Sequence, residues 1–193
     1  NFKQTLITAL TKKDTMKKSI LLGLCCLGLW SSVRAQTIDT KNSYVTFEVK
    51  NMGKTIEGKM EKMEGTVQLD PTTLATASFE ATVAPSTVNT KSKGRDKHLK
   101  KDDFFGVTTY NVIKMVSKEI KKTETGYEAV ALLTIREVET EVLIPFTVEE
   151  KEGRQVLEGT LEVLRKDYGL GSGMGKMMIG LEVQVTIHAE VIF

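Results

Sequence analysis

The stretch GRDKHLKKDDFFGV, Gly94 to Val107, gathers most of the side chains in this sequence that could do chemistry. Eight of its fourteen residues ionise, and it holds one of only two histidines in the chain. Arg95, Asp96 and His98 are close enough in sequence to meet, and a histidine beside an aspartate can serve as a general base. A hydrolase-like site built on His98 and Asp96 is therefore one reading. It lacks a partner, because no serine or cysteine nucleophile is marked by its context and no G-x-S-x-G turn occurs. A metal site needs three or four ligands, and His98, His188 and the scattered acids show no tight ligand spacing. The plainer reading is a latch, with Arg95, Asp96 or His98 pinning a long connection to the body of the fold. A third role is polar contact at the mouth of a binding cavity.

A second stretch, GLGSGMGKMMIG from Gly169 to Gly180, invites a phosphate-loop reading and fails on detail. A phosphate loop has Gly five residues before its Gly-Lys pair and Ser or Thr after the lysine. Leu170 and Met177 occupy those positions, and a strand pattern follows instead of a helix. The stretch reads better as a mobile, glycine-rich connection. Met174, Met177 and Met178 supply adaptable apolar surface there.

The elements that must position these residues are strands. Tyr44 to Lys50 alternates, with Val45, Phe47 and Val49 on one face and charges on the other. Period two with one polar face is a half-buried strand. Ser78 to Val83, Val142 to Val148 and Leu181 to Phe193 repeat it. Weaker alternation covers Thr55–Met60, Gly65–Asp70, Val112–Ile120, Tyr127–Ile135 and Val156–Val163. Turn residues separate many of these, as at Asp70-Pro71 and Glu152-Gly153. About eight or nine short strands joined by turns predict an all-β fold, a closed antiparallel barrel or a sandwich. Ser86 to Thr109 breaks the pattern. Asn89 to Lys101 fits a short helical insertion of one or two turns, with Leu99 as its apolar contact.

Not all of the chain belongs to that fold. Residues 1–15 precede a plausible start methionine and are expected to be an upstream extension or a start-site artefact. Residues 16–35 show the three parts of a signal peptide: a basic start, the apolar run Ile20 to Trp30, and small residues before a cut after Ala35. The run is shorter than the ~20 residues a membrane span needs. The domain is expected to be residues 36–193, periplasmic or secreted. Without the leader it holds 21 basic and 24 acidic side chains, a formal charge of about −3. No basic stripe interleaved with aromatics points to nucleic acid. Both cysteines lie in the leader, so the domain has no disulfide and no cysteine chemistry.

A barrel of these strands would present an apolar interior. Phe47, Val49, Phe79 and Val83 are its candidate lining in the first half of the domain. Ile113, Met115, Leu133 and Phe146 are the candidates in the second half. Phe104 and Phe105 follow the charged stretch, and on a strand two adjacent rings would face opposite ways. One is expected to cap the core while the other reaches the opening. Met177 and Met178 complete the set.

The stretch around Gly94–Val107 also resembles the YceI-like family. The matching residues are Ser86-Thr87-Val88-Asn89-Thr90, Arg95-Asp96-Lys97-His98-Leu99 and Asp103-Phe104-Phe105-Gly106-Val107, with Tyr110 after them. Phe47-Glu48-Val49-Lys50, Gly65-Thr66-Val67, Leu133-Thr134-Ile135-Arg136 and Arg165-Lys166-Asp167-Tyr168-Gly169 match in order. Asn51, Asn111 and Glu137 depart from the family pattern, where a histidine, a proline and a glycine are usual. The resemblance implies an extended lipocalin-like barrel, usually exported. It would hold a long isoprenoid, quinone-like or similar amphiphilic lipid, with no cofactor and no established catalysis; a homodimer is compatible with it. Arg95, Asp96 and His98 would then lie near the lipid's polar head. Against this stand the His98/Asp96 enzyme and a small outer-membrane barrel, whose strands also end on an aromatic such as Phe193. The domain has few aromatics for the two girdles such a barrel carries.

Overall fold

Alternation in the sequence becomes one antiparallel sheet in the computed structural model, which describes residues 36–192. Residues 1–35, with the expected upstream extension, the expected signal peptide and both cysteines, lie outside the described residues. Ten strands form the sheet: β1 (Gln36–Ile38), β2 (Tyr44–Asn51), β3 (Lys54–Met60), β4 (Glu64–Gln68), β5 (Ser78–Val83), β6 (Ile113–Lys122), β7 (Tyr127–Ile135), β8 (Val138–Lys151), β9 (Arg154–Leu164) and β10 (Ile179–Ile192). One helix, α1 (Lys93–Leu99), lies in the long connection between β5 and β6.

Eight strands close a ring in the order β1-β4-β5-β6-β7-β8-β9-β10, and β10 returns to β1. The closing seam is short: Thr37 faces Ile192 and Ile38 faces Val191. Higher on the same edge of β10, Val183 to His188 pair with Val49 to Tyr44 of β2. β2 carries β3 as its hairpin partner. The turn between β1 and β2 is held to β10 by Asp39 N–H on Glu190 O at 2.8 Å and by the buried Ser43 hydroxyl. Arg154 clamps it from outside, donating to Asp39 at 2.8 Å and to Glu190 at 3.0 Å.

The faces of the ring differ in chemistry. β7 buries Ala129, Ala131, Leu133 and Ile135 inward, and β9 buries Leu157, Leu161 and Val163. Outward positions carry ion pairs such as Lys114–Glu80 and Lys118–Glu141, both at 2.7 Å. A barrel that spans a membrane shows the reverse, with an apolar band outside. The outer-membrane expectation is corrected on that ground.

The sequence pattern missed β1, whose three residues are too few to show a period. It also set β8 and β10 too short. The β8–β9 ladder stops at Phe146 and Gly159, next to Pro145, which has no N–H to give. Beside that break, Tyr168 is buried. Burial pushes its hydroxyl pKa up, and a hydrogen bond with Thr140 of β8 opposes the shift.

Candidate ligand-binding site

The ring encloses a cavity of about 450 Å³, within the ~300–1,000 Å³ range of ligand pockets. Its lining is overwhelmingly apolar. Leu133, Ile144, Leu161 and Val163 form a buried wall. Across from them several inward side chains of β2, β3 and β10 are only half-buried: Val45, Phe47, Ile56, Val183, Val185 and Ile187. They point inward and still meet open space. Gly58 lets the Phe47 ring lie flat against β3, since a Cβ there would stand 2.1 Å from the ring.

Eleven of the twelve apolar candidates border this cavity: Phe47, Val49, Phe79 and Val83, then Ile113, Met115, Leu133 and Phe146, and also Phe104, Phe105 and Met178. Met177 does not. It is 87% exposed and lies in a turn, where neighbouring side chains diverge with no strand period to predict which one turns in. Phe104 and Phe105 both reach the cavity, because their segment is a run of turns and strand alternation does not apply.

The charged stretch divides its work. Asp96 accepts hydrogen bonds from the Thr90 amide, at 2.8 Å, and from the Thr90 hydroxyl, so it ties α1 to the chain before it. Arg95 donates through Nε and Nη2 to Thr90 Oγ1 and O, both at 2.8 Å. Its Nη1 has no protein acceptor among the described residues, and Arg95 borders the cavity. His98 also borders it. Its Nε2 is 2.8 Å from Asp103 Oδ2, and its ring meets Phe104 edge-on at 5.1 Å. The His98–Asp96 dyad is not formed, since each side chain is held by a different partner. No group of three metal-ligating side chains gathers among the described residues. A bridge between Asn89 and Lys59, and Thr87 with the Glu61 backbone, strap the connection to β3.

Arg165 was overlooked as a site residue. It is 3% exposed, and all five of its N–H groups are used. Nε donates to Gly180 O at 2.8 Å and Nη1 to Leu170 O and Gly171 O, both at 2.8 Å. Nη2 donates to Met174 O at 2.9 Å and Ile179 O at 3.0 Å. The glycine-rich connection is thus wound around one guanidinium and is not the loose loop its composition suggests. Burial lowers the pKa of this group. The sequence did hold a signal: Leu161, Val163 and Arg165 continue the inward register of β9, so a charge falls where an apolar residue is due.

A closed antiparallel strand ring with an open, ligand-sized apolar interior and a few polar groups at its end defines the class: a lipocalin-like β-barrel with an internal cavity. The particular family follows from comparison. The profile of the YceI-like domain matches residues 36–191, and the chain belongs to that family. A UPF0312 protein of Staphylococcus aureus is 30% identical over 168 residues, covering 80% of this chain and 95% of its own. The crystal structure of Burkholderia cenocepacia BcnA is similar with a TM-score of 0.74 at 25% identity, covering 79% of this chain and 98% of that one. A polyisoprenoid-binding domain from Saccharophagus degradans shares the fold, with a TM-score of 0.66 at 16% identity over 82% of this chain and 98% of that one.

Proposed function

We propose that this protein is an exported carrier that holds one long isoprenoid or similar amphiphile inside its barrel, without chemistry. One observation carries the reading: Val45, Phe47 and Val49 of β2, Ile56 of β3 and Val183, Val185 and Ile187 of β10 point into an apolar cavity and are only half-buried there. Open apolar surface of that kind is stabilised by an apolar guest. Burial contributes roughly 0.8 kcal/mol per CH₂. About ten buried carbons match the ~8 kcal/mol of micromolar affinity, before ordering costs are subtracted. The polyisoprenoid-binding domain of similar fold supports an isoprenoid guest.

The head group would sit by Arg95, whose guanidinium edge is unspent, with His98 beside it. Arg165 cannot serve, because its donors are all engaged. The missing His98–Asp96 dyad favours a binder over a hydrolase. Export rests on the leader pattern of residues 16–35.

The test is to express the whole chain in a bacterial host, purify it without detergent and record its native mass. A stoichiometric long-chain amphiphile on a protein cut after Ala35 is expected, and the same spectrum separates monomer from homodimer. Arg95→Met should weaken retention of the guest, and should lower the melting temperature by only a few degrees, since it removes two hydrogen bonds to Thr90 but leaves Asp96 holding that residue. A well-folded protein that takes up no lipid, even when offered polyprenols and quinones, would overturn the reading.

A further inference from the structure

Met52 and Met178 border the cavity and are nevertheless 76% and 54% exposed, so they stand at its mouth. Met52 N–H donates to Met178 O at 3.0 Å, joining the tip of the β2–β3 hairpin to the glycine-rich turn. Met177, next in line, is 87% exposed. Three unbranched apolar side chains therefore project from one rim. Exposed large apolar residues elsewhere on the barrel are spread over other strands and turns, as at Val112, Leu143 and Ile192.

The charges within the hairpin tip and the glycine-rich turn are of one sign. Lys50, Lys54 and Lys176 flank the methionines. No acid occurs from Val49 to Ile56 or from Tyr168 to Leu181. Several lysines on the barrel wall are matched by carboxylates: Lys114 by Glu80, Lys118 by Glu141, Lys151 by Glu149. Lys50 instead donates to the Thr55 hydroxyl at 2.6 Å, and no carboxylate pairs with Lys50, Lys54 or Lys176 among the described residues. The domain as a whole is net negative, about −3, so these two segments are a local reversal of its charge.

We propose that the rim formed by the β2–β3 hairpin and the glycine-rich turn docks on an anionic lipid bilayer. Flexible apolar side chains ringed by lysines match the two parts of a membrane interface, acyl region below and phosphates above. Docked this way, the apolar cavity opens directly onto the acyl layer, and a guest passes between them without crossing water. The proposal rests on the lipid-holding reading only for that transfer; docking itself needs no guest.

The barrel closes on itself within residues 36–192, with its own core, so residues 36–193 can be tested apart from the apolar leader. Flotation with phosphatidylcholine vesicles is compared with vesicles containing about 30% phosphatidylglycerol, at about 0.1 M and about 0.5 M salt. Binding is expected only to the anionic vesicles and only at low salt. Each lysine near such a surface is worth about fivefold. The variant Lys50→Gln/Lys54→Gln/Lys176→Gln should therefore lose at least about tenfold in binding while keeping its melting temperature and its bound lipid. Met52→Ser/Met177→Ser/Met178→Ser should weaken binding to the anionic vesicles at low salt. Failure of the wild type to float, or flotation untouched by the lysine changes, overturns the proposal. So does concentration-dependent self-association that the methionine changes abolish, which would make the rim a contact between two copies. Native mass on the same samples reports the guest independently, so loss of docking and absence of lipid are separate results.

Discussion

Gly171 lies against the ring of Phe104, so close that a Cβ at Gly171 would stand 2.9 Å from two ring atoms. Its N–H donates to Asp103 O at 2.6 Å, and its φ is +57°. One glycine thus locks the glycine-rich turn to the charged stretch. Phe104 is 5% exposed. Gly171→Ala should cost about 1–3 kcal/mol, from backbone strain and overpacking together. Gly173, with nothing within 4 Å of its would-be Cβ, is the control: Gly173→Ala should stay within about 0.5 kcal/mol. Urea melts of the two variants check the contrast.

Arg165→Met should leave five carbonyls without their donor and destabilise by at least about 3 kcal/mol. Arg165→Lys should recover little, because an ammonium is a point donor and cannot span the fork that reaches Gly180, Leu170 and Met174. If the lysine variant melts like wild type, the guanidinium does not organise the turn.

Val185 faces Phe47 on one neighbouring strand and Leu161 on the other, and its side chain looks into the cavity. Val185→Phe should fill part of that space. Bound lipid, read by native mass, should fall by at least about tenfold, while the melting temperature holds or rises as the void shrinks. A variant that keeps its lipid would place the guest elsewhere.

The seam has a pH signature. The Lys41 amide hydrogen bond holds the Asp39 carboxyl below its ordinary pKa of 3.8, with the Arg154 charge and hydrogen bonds from Arg154 and Asn42 assisting. A carboxyl whose folded pKa is lowered stabilises above its ordinary value and loses that contribution as pH falls through the folded one. Wild type should therefore lose melting temperature on acidification below about pH 4. Asp39→Asn should start lower and fall less over the same window.

How far the sequence carried is clearest at β2, β5 and β10. Their inward residues alternate strictly because one face meets the interior and the other meets water, so the period is written into the chain. β1 has three residues and takes its place from partners at the far end of the sequence, which no local pattern records. Within the charged stretch the residues were visible but their partners were not. Asp96 turns back to Thr90 and His98 reaches forward to Asp103, and these choices follow from how the turns fold. Met177 and Met178 read alike in sequence, and only the turn that Arg165 winds decides which one borders the cavity.

The seam carries a consequence for how the molecule comes to be folded. β1 and β2 both wait on β10, so the first strands of the domain find their shared partner only when its last strand is available. Contacts so distant along the chain slow the search for the native state. Until Ile179–Ile192 arrives, the apolar faces of β5, β7 and β9 line an unclosed sheet and the β2–β3 hairpin has no edge to join, the kind of intermediate from which aggregation begins. Completion of this barrel is therefore a late, all-or-nothing event, and a chain truncated before β10 should not be a smaller barrel but an open, sticky sheet.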